Sequence, residues 1–141
     1  MITLELVALN GMKFSDEVYE VVLPTPEGQI AIFPHHMPLV SLASPGVISI
    51  RRREADPDDK MELFATNGGV IEINDRRVRV LVDEANNSTE VVEKEVEEAL
   101  KLAQEEAKNA QDQVSLDKAT QLVQTQQARL KVASLRRHKR R

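Results

Sequence analysis

The sequence predicts a fold of the β plus α class: an all-β module of many short strands, followed by an antiparallel helical hairpin. Two observations carry this. All five Gly and six Pro residues lie before residue 86, and the remainder is rich in Ala, Glu, Gln and Lys. Apolar residues alternate with polar ones in the first part, whereas in the second they recur every three or four positions. The expected division is a β domain over 1–85 and a hairpin over 86–141, with Asp83 to Ser88 as linker.

Ile2, Leu4 and Leu6 alternate with Thr3 and Glu5, which predicts a first strand. Val18, Val21 and Leu23 form a second run that stops at Pro24, and Gln29 to Phe33 a third, bounded by Gly28 and Pro34. Val47 to Ile50 follows the turn pair Pro45-Gly46. Met61, Leu63 and Ala65 share a face opposite Lys60, Glu62 and Phe64, and an acidic loop, Glu54 to Asp59, precedes them. Ile71 and Ile73, then Val78, Val80 and Val82, are two arms around the turn Asn74-Asp75-Arg76. Strands this short and closely spaced suit a β-sandwich or a small barrel.

Beyond the linker, Asn87 with Glu90 reads as a capping box. Val92, Val96, Ala99, Leu100, Ala103, Ala107 and Ala110 then follow at helical spacing. Asn109 to Gln113 reads as a turn, and Ser115 as the cap of a second helix. That helix carries Leu116, Ala119, Val123, Leu130 and Ala133 on one stripe, interrupted by Gln126 and Gln127. The connection is short, so the helices run antiparallel. The seam is poor in large side chains, and alanine buries little area at roughly 25 cal/mol per Å². A loosely held, movable arm follows from that as readily as a fixed appendage.

Composition narrows the function. At 41% hydrophobic and 30% charged residues, the chain suits a globular protein. Aromatics are 3%, with Tyr19 the single Tyr and no Trp, so Val, Ile, Leu and Ala must build the core. Absent cysteine excludes disulfides, thiolate zinc sites and thiol nucleophiles. No apolar run approaches the roughly 20 residues of a membrane-spanning helix. The start, Met1 to Glu5, lacks the basic and apolar regions of a signal peptide. The net charge of −4 hides an asymmetry: the last 13 residues hold seven Lys/Arg and no acid, which leaves −11 on residues 1–128. Such a tail implies an acidic partner.

No constellation supports catalysis. His35-His36 lacks further ligands, since His138 is the only other histidine, so packing or interface duty outweighs metal binding. Asn67-Gly68-Gly69 lacks the Lys and following helix of a phosphate loop and reads as a turn. The basic tail, Ser134 to Arg141, raises the alternative of a nucleic-acid-binding adaptor. Aromatic residues for base stacking are missing from the whole second half, which argues against it. No cofactor, metal or nucleic acid is expected.

Several motifs together identify a family. Leu23 to Leu39, with Gly28, Pro34, His36 and Pro38 at fixed spacing, is followed by Pro45-Gly46-Val47. Asn67-Gly68-Gly69-Val70-Ile71-Glu72-Ile73 leads to Val80-Leu81-Val82-Asp83-Glu84-Ala85. Glu97-Glu98-Ala99-Leu100 and Ala128-Arg129-Leu130 mark the helical part. In this order the segments closely resemble the epsilon subunit of F-type ATP synthases.

The resemblance implies a ten-stranded β-sandwich with a two-helix C-terminal domain. It implies a non-catalytic central-stalk subunit that turns with gamma on the membrane-embedded c-ring, coupling proton or sodium flow to ATP synthesis. The implied location is the cytoplasmic face of a bacterial membrane, reached through partners. By match, Glu27, Gly28 and Gln29 face the c-ring, with Gln29 at an often acidic position; His36, Met37 and Leu42 lie where the family contacts gamma. The hairpin either folds beside the sandwich or extends along gamma. When extended, it blocks ATP hydrolysis through basic contacts to the alpha and beta subunits, here Arg129, Lys131, Arg136 and Arg137. The nucleotide-binding motif of some members is degraded: Val92 stands for its Asp, Glu95 for its Arg and Thr125 for a second-helix Arg. Glu95 would repel phosphate, so weak or absent ATP binding is expected.

Overall fold

A computed structural model describes the backbone of residues 1–87 and 93–139, and the side chains of 1–87 and 95–134. Ten strands form two five-stranded sheets. They are β1 (Ile2–Ala8), β2 (Gly11–Val18), β3 (Glu20–Thr25), β4 (Gly28–Ile32), β5 (Leu39–Ala43), β6 (Gly46–Arg51), β7 (Glu62–Thr66), β8 (Gly69–Asn74), β9 (Arg77–Val82) and β10 (Ala85–Asn87). The first sheet runs β2-β1-β9-β8-β5 and the second β10-β7-β6-β3-β4. Pairing is antiparallel except between β1 and β9, where Leu4 meets Val78 and Leu6 meets Val80. The two sheets stack as the sandwich that period-two alternation suggested.

The inner faces make one continuous core. Leu4, Leu6, Val18, Val21, Leu23, Ile48, Ile50, Ile71, Val78 and Val80 lie within it, all essentially inaccessible. Burial of such side chains stabilises by about 1.5–3 kcal/mol each. Phe14 and Phe64 meet edge to face at 6.3 Å, and the Arg52 guanidinium sits 4.9 Å from the Phe14 ring centre. Arg52 also pairs with Asp16 at 2.8 Å and Glu62 at 3.2 Å, tying β2 of one sheet to β7 of the other. Nearby, Arg51 pairs with the buried Glu20 at 2.7 Å and with Asp58, and donates to the Asp56 carbonyl. These contacts pin the acidic loop.

Three local expectations are corrected, and the face division read in β7 holds. Val18 to Leu23 is not one strand: β2 ends at Val18 and β3 begins at Glu20, with the Tyr19 N–H bonded to the Arg51 carbonyl at the corner. β5 was not anticipated, because both of its faces carry apolar residues and alternation is lost. The segment read as a linker contains β10, which pairs with β7, so the expected 85/86 boundary falls inside a strand. In β7, Phe64 faces the sandwich core while Leu63 and Ala65 face the helices, so both faces are covered. A strand buried on both sides has no polar face to read.

The helices are α1 (Glu93–Asn109) and α2 (Gln113–Lys139). They fold back on each other: Val96, near the start of α1, clusters with Val132 and Ala133, far along α2. The hairpin rests on the outer face of the second sheet, over β6 and β7. Val96 and Ala103 are buried as expected. On α2 the stripe is shifted: Leu116 is exposed, while Thr125, Gln126, Ala128 and Val132 are buried with Ala119 and Ala133. Gln126 does not interrupt the packing. Two surfaces, α1 and the sheet, wrap this half of α2, so its buried arc is wider than one stripe. Glu90 of the expected capping box and Val92 of the degraded motif lie outside the described residues.

Candidate partner-docking surfaces

One end of the sandwich gathers several turns. The Ser44 N–H donates to the Pro24 carbonyl at 3.0 Å, and the Leu9 N–H to the Asp83 carbonyl at 3.3 Å. The Glu84 N–H donates to Asn67 Oδ1 at 3.0 Å. With Gly68 of the β7–β8 turn packed closely against the Ala43 carbonyl and Pro45, the turns after β1, β3, β5, β7 and β9 gather into one end plate. Glu27, Gly28 and Gln29 stand on its β3–β4 turn, all exposed. Gly28 has a φ of 121°, which a side chain would strain, and its carbonyl accepts the Thr25 hydroxyl at 2.6 Å. Asp83 and Glu84 are exposed at the same end, making it acidic.

His36 and Met37 lie in the β4–β5 loop, at the opposite end of β4. His36 is half-buried and its Nδ1 sits 2.7 Å from the Met37 carbonyl, to which it donates; Met37 projects outward. Leu42 lies further along β5, near the end plate. The three are therefore strung along one edge rather than clustered, with exposed Val40 between Met37 and Leu42.

Leu42 belongs to a larger feature. In the sheet register Leu42 is opposite Val70, Val70 opposite Leu81, Leu81 opposite Val7 and Val7 opposite Met12. Cross-strand partners share a face, so these side chains form an apolar row across the outside of the first sheet. Leu42 is 62%, Met12 56% and Leu81 42% exposed. Beside it runs a charged row in which Glu5 pairs with Arg79 at 3.1 Å and Arg77 at 3.7 Å. A contiguous exposed apolar stripe with a charged border is the signature of a docking surface. Sequence reasoning found Leu42 but missed Val7, Met12, Val70 and Leu81. The uninterrupted runs Val70-Ile71 and Val80-Leu81-Val82 were the available signal, since they place apolar residues on both faces.

On the hairpin, Lys131 is exposed and Arg129 half-buried, its Nη1 donating to Gln126 Oε1 at 3.2 Å. The side chains of Arg136 and Arg137 lie outside the described residues. Glu95 is exposed, and the Thr125 hydroxyl, 8% exposed, donates to the Gln121 carbonyl at 3.0 Å. Thr125 is thus satisfied within its own helix. Asp112, not Ser115, caps α2: its Oδ1 accepts the Ser115 N–H at 2.6 Å, and the Leu116 N–H bonds its carbonyl. The helix starts three residues earlier than the sequence suggested, at Gln113, which moves the cap back by as many.

That backbone N–H, followed by the Ser115 hydroxyl, holds the Asp112 carboxyl below its ordinary value. A carboxylate with a lowered folded pKa stabilises above its unfolded pKa and loses that effect as pH falls through the folded one. Asp112→Ala should therefore lower the helical circular dichroism of the full chain at neutral pH. The difference should vanish in acid below the usual carboxylate range of about pH 4. A difference that persists there would contradict the cap.

Comparison with known proteins agrees with this architecture. The family profile described as "ATP synthase, Delta/Epsilon chain, beta-sandwich domain" matches residues 1–88. An ATP synthase epsilon chain of Neisseria meningitidis serogroup C is 35% identical over 136 residues, covering 96% of this chain and 95% of that one. A chloroplastic epsilon chain of Adiantum capillus-veneris is 31% identical over 135 residues, covering 96% and 98%. Among solved structures, the Euglena gracilis mitochondrial ATP synthase (OSCP/F1/c-ring) contains a chain that superposes with a TM-score of 0.75 at 19% identity, covering 90% of this chain and 78% of that one. The central stalk and c-ring of the Tetrahymena thermophila mitochondrial enzyme gives 0.61 at 16%, covering 92% and 94%. Those two likenesses concern the fold. The profile and the curated relatives, spanning nearly the whole chain, establish that it belongs to the ATP synthase delta/epsilon family, among the epsilon chains.

Proposed function

We propose that the chain is a non-catalytic central-stalk subunit whose sandwich docks on gamma and the c-ring and whose hairpin restrains ATP hydrolysis. The observation that carries this is the division of labour in the packing. The sandwich has its own large core, and the hairpin rests on it through a separate, smaller cluster of Val and Ala. A stiff block can pass torque while a weakly held arm moves.

The apolar row through Leu42 and Leu81, continuous with the edge at Met37, offers gamma a docking face. The end plate at Glu27, Gly28 and Gln29 offers the c-ring a polar, acidic one. In the extended arm, Arg129, Lys131, Arg136 and Arg137 would meet acidic loops of the alpha and beta subunits, a contact that salt weakens. With Glu95 exposed and Thr125 internally satisfied, the two positions where some relatives carry a phosphate-binding Arg hold none here, so the arm's movement would not be gated by ATP held on the hairpin. Location at the cytoplasmic face would follow from these partners. Among the described residues no helix is long and apolar enough to cross a membrane.

The test is ATP hydrolysis by the assembled complex carrying the full chain, a chain ending at residue 135, or one ending at Asn87. Hydrolysis should rise stepwise, several-fold in the last case, while incorporation into the complex persists. Equal hydrolysis in all three would sink the inhibitory reading; failed incorporation of the last would show that the hairpin, not the sandwich, carries assembly.

A further inference from the structure

The layer under the hairpin is built from small side chains. Val47 and Ala65 of the second sheet meet Val96 of α1 and Ala128, Val132 and Ala133 of α2. Contacts of this size each bury little apolar area. Polar atoms are sealed into the hairpin and its floor as well. Asn86 stands opposite Ala65 in the β10–β7 register, so it shares the face on which the hairpin rests. Its Oδ1 is buried and has no hydrogen-bond partner among the described residues. On α2, Arg129 Nε is also buried with no partner among the described residues, although Nη1 of the same side chain is bonded to Gln126. Withholding water from a polar atom that finds no partner opposes the folded-down form more strongly than one alanine contact favours it.

We propose that Asn86 and Arg129 set the balance of the arm: each opposes the docked hairpin, release satisfies both with water, and an apolar side chain of similar size at either position holds the arm down. The assignment rests on the reading of the hairpin as a movable arm, and it names what in this chain regulates that movement. Arg129 is then a cation withheld in the docked form and presented on release. Asn86 lies in the last strand before the hairpin, where the floor and the arm's root meet.

The chain has no cysteine. Ala65→Cys therefore places a single thiol on the floor beneath α2, at a position 1% exposed in the docked form. Its labelling rate with a maleimide reports lifting of the hairpin in the full chain, whether or not the helices also unravel. Asn86→Leu and Arg129→Met, each in that background, should slow labelling about tenfold while circular dichroism is unchanged. The methionine keeps the packing of the arginine stem and removes only its polar head. Unchanged or faster labelling in both variants would overturn the proposal, as would a thiol in the Ala65→Cys parent that never reacts. Hydrolysis assays on the assembled complex separate this from the functional reading. Slower labelling together with weaker inhibition supports both. Slower labelling with unaltered inhibition supports the balance and removes the inhibitory role.

Discussion

Gly69→Ala should unfold more of this protein's stability than any surface change, by about 3 kcal/mol or more, the upper range for forcing atoms into a packed site. A Cβ at Gly69 would stand 1.9 Å from the Leu81 carbonyl oxygen and 2.9 Å from Val82 Cα. Both obstacles are backbone of β9, the strand paired with β8, so no side chain can swing aside. Gly69 also pairs with Ala43 of β5, and hence the strain would spread from the sheet centre to its edge. Gly28→Ala is the informative control. Nothing lies within 4 Å of its added Cβ, and only the φ of 121° resists it, at a cost of about 1 kcal/mol. Chemical denaturation of the two variants should show a much lower midpoint for Gly69→Ala. Equal midpoints would mean that the β8–β9 approach is looser than described.

The same glycine shows how far the sequence could be read. Asn67-Gly68-Gly69 was legible as a turn, and Gly68, with a φ of 104°, fills that role. That Gly69 is needed for close strand approach was not legible, because nothing local says which backbone will lie against it. The alternating strands β1, β8 and β9 could be placed from Ile2-Leu4-Leu6, Ile71-Ile73 and Val78-Val80-Val82, whose polar partners face outward. β7 was read as a strand, but neither it nor β5 has a polar outer face. Each is apolar on both faces, β7 because the hairpin covers its outer side and β5 because Val40 and Leu42 project outward, exposed. The stripe of α2 was misplaced for the same reason, with Gln126 and Thr125 buried by a neighbour that the helix's own periodicity cannot reveal. The exposed apolar row illustrates the general case. Its members come from β1, β2, β5, β8 and β9, and only sheet register brings Met12 and Leu42 onto one line.

That row supplies the second large effect. Leu42 and Leu81 project from the outside of the first sheet and belong to neither buried cluster. Leu42→Glu with Leu81→Glu should therefore leave the sandwich as stable as before. A partner that covers the row would have to bury two carboxylates without counter-ions, and well-packed interface positions carry 2–4 kcal/mol each by truncation alone. Affinity for gamma should fall by at least about 100-fold, since each tenfold corresponds to about 1.4 kcal/mol. Glutamates on the end plate side, such as Gln29→Glu, should leave gamma binding unchanged, because that turn is assigned to the other partner.

The most direct measurement is native mass spectrometry of the full chain mixed with its own gamma subunit, with and without the Leu42→Glu, Leu81→Glu pair. The expected result is a one-to-one complex for the unaltered chain and free subunits for the double variant, both chains melting at the same temperature. A complex that survives both charges, or an unaltered chain that ignores gamma altogether, would contradict docking through the apolar row.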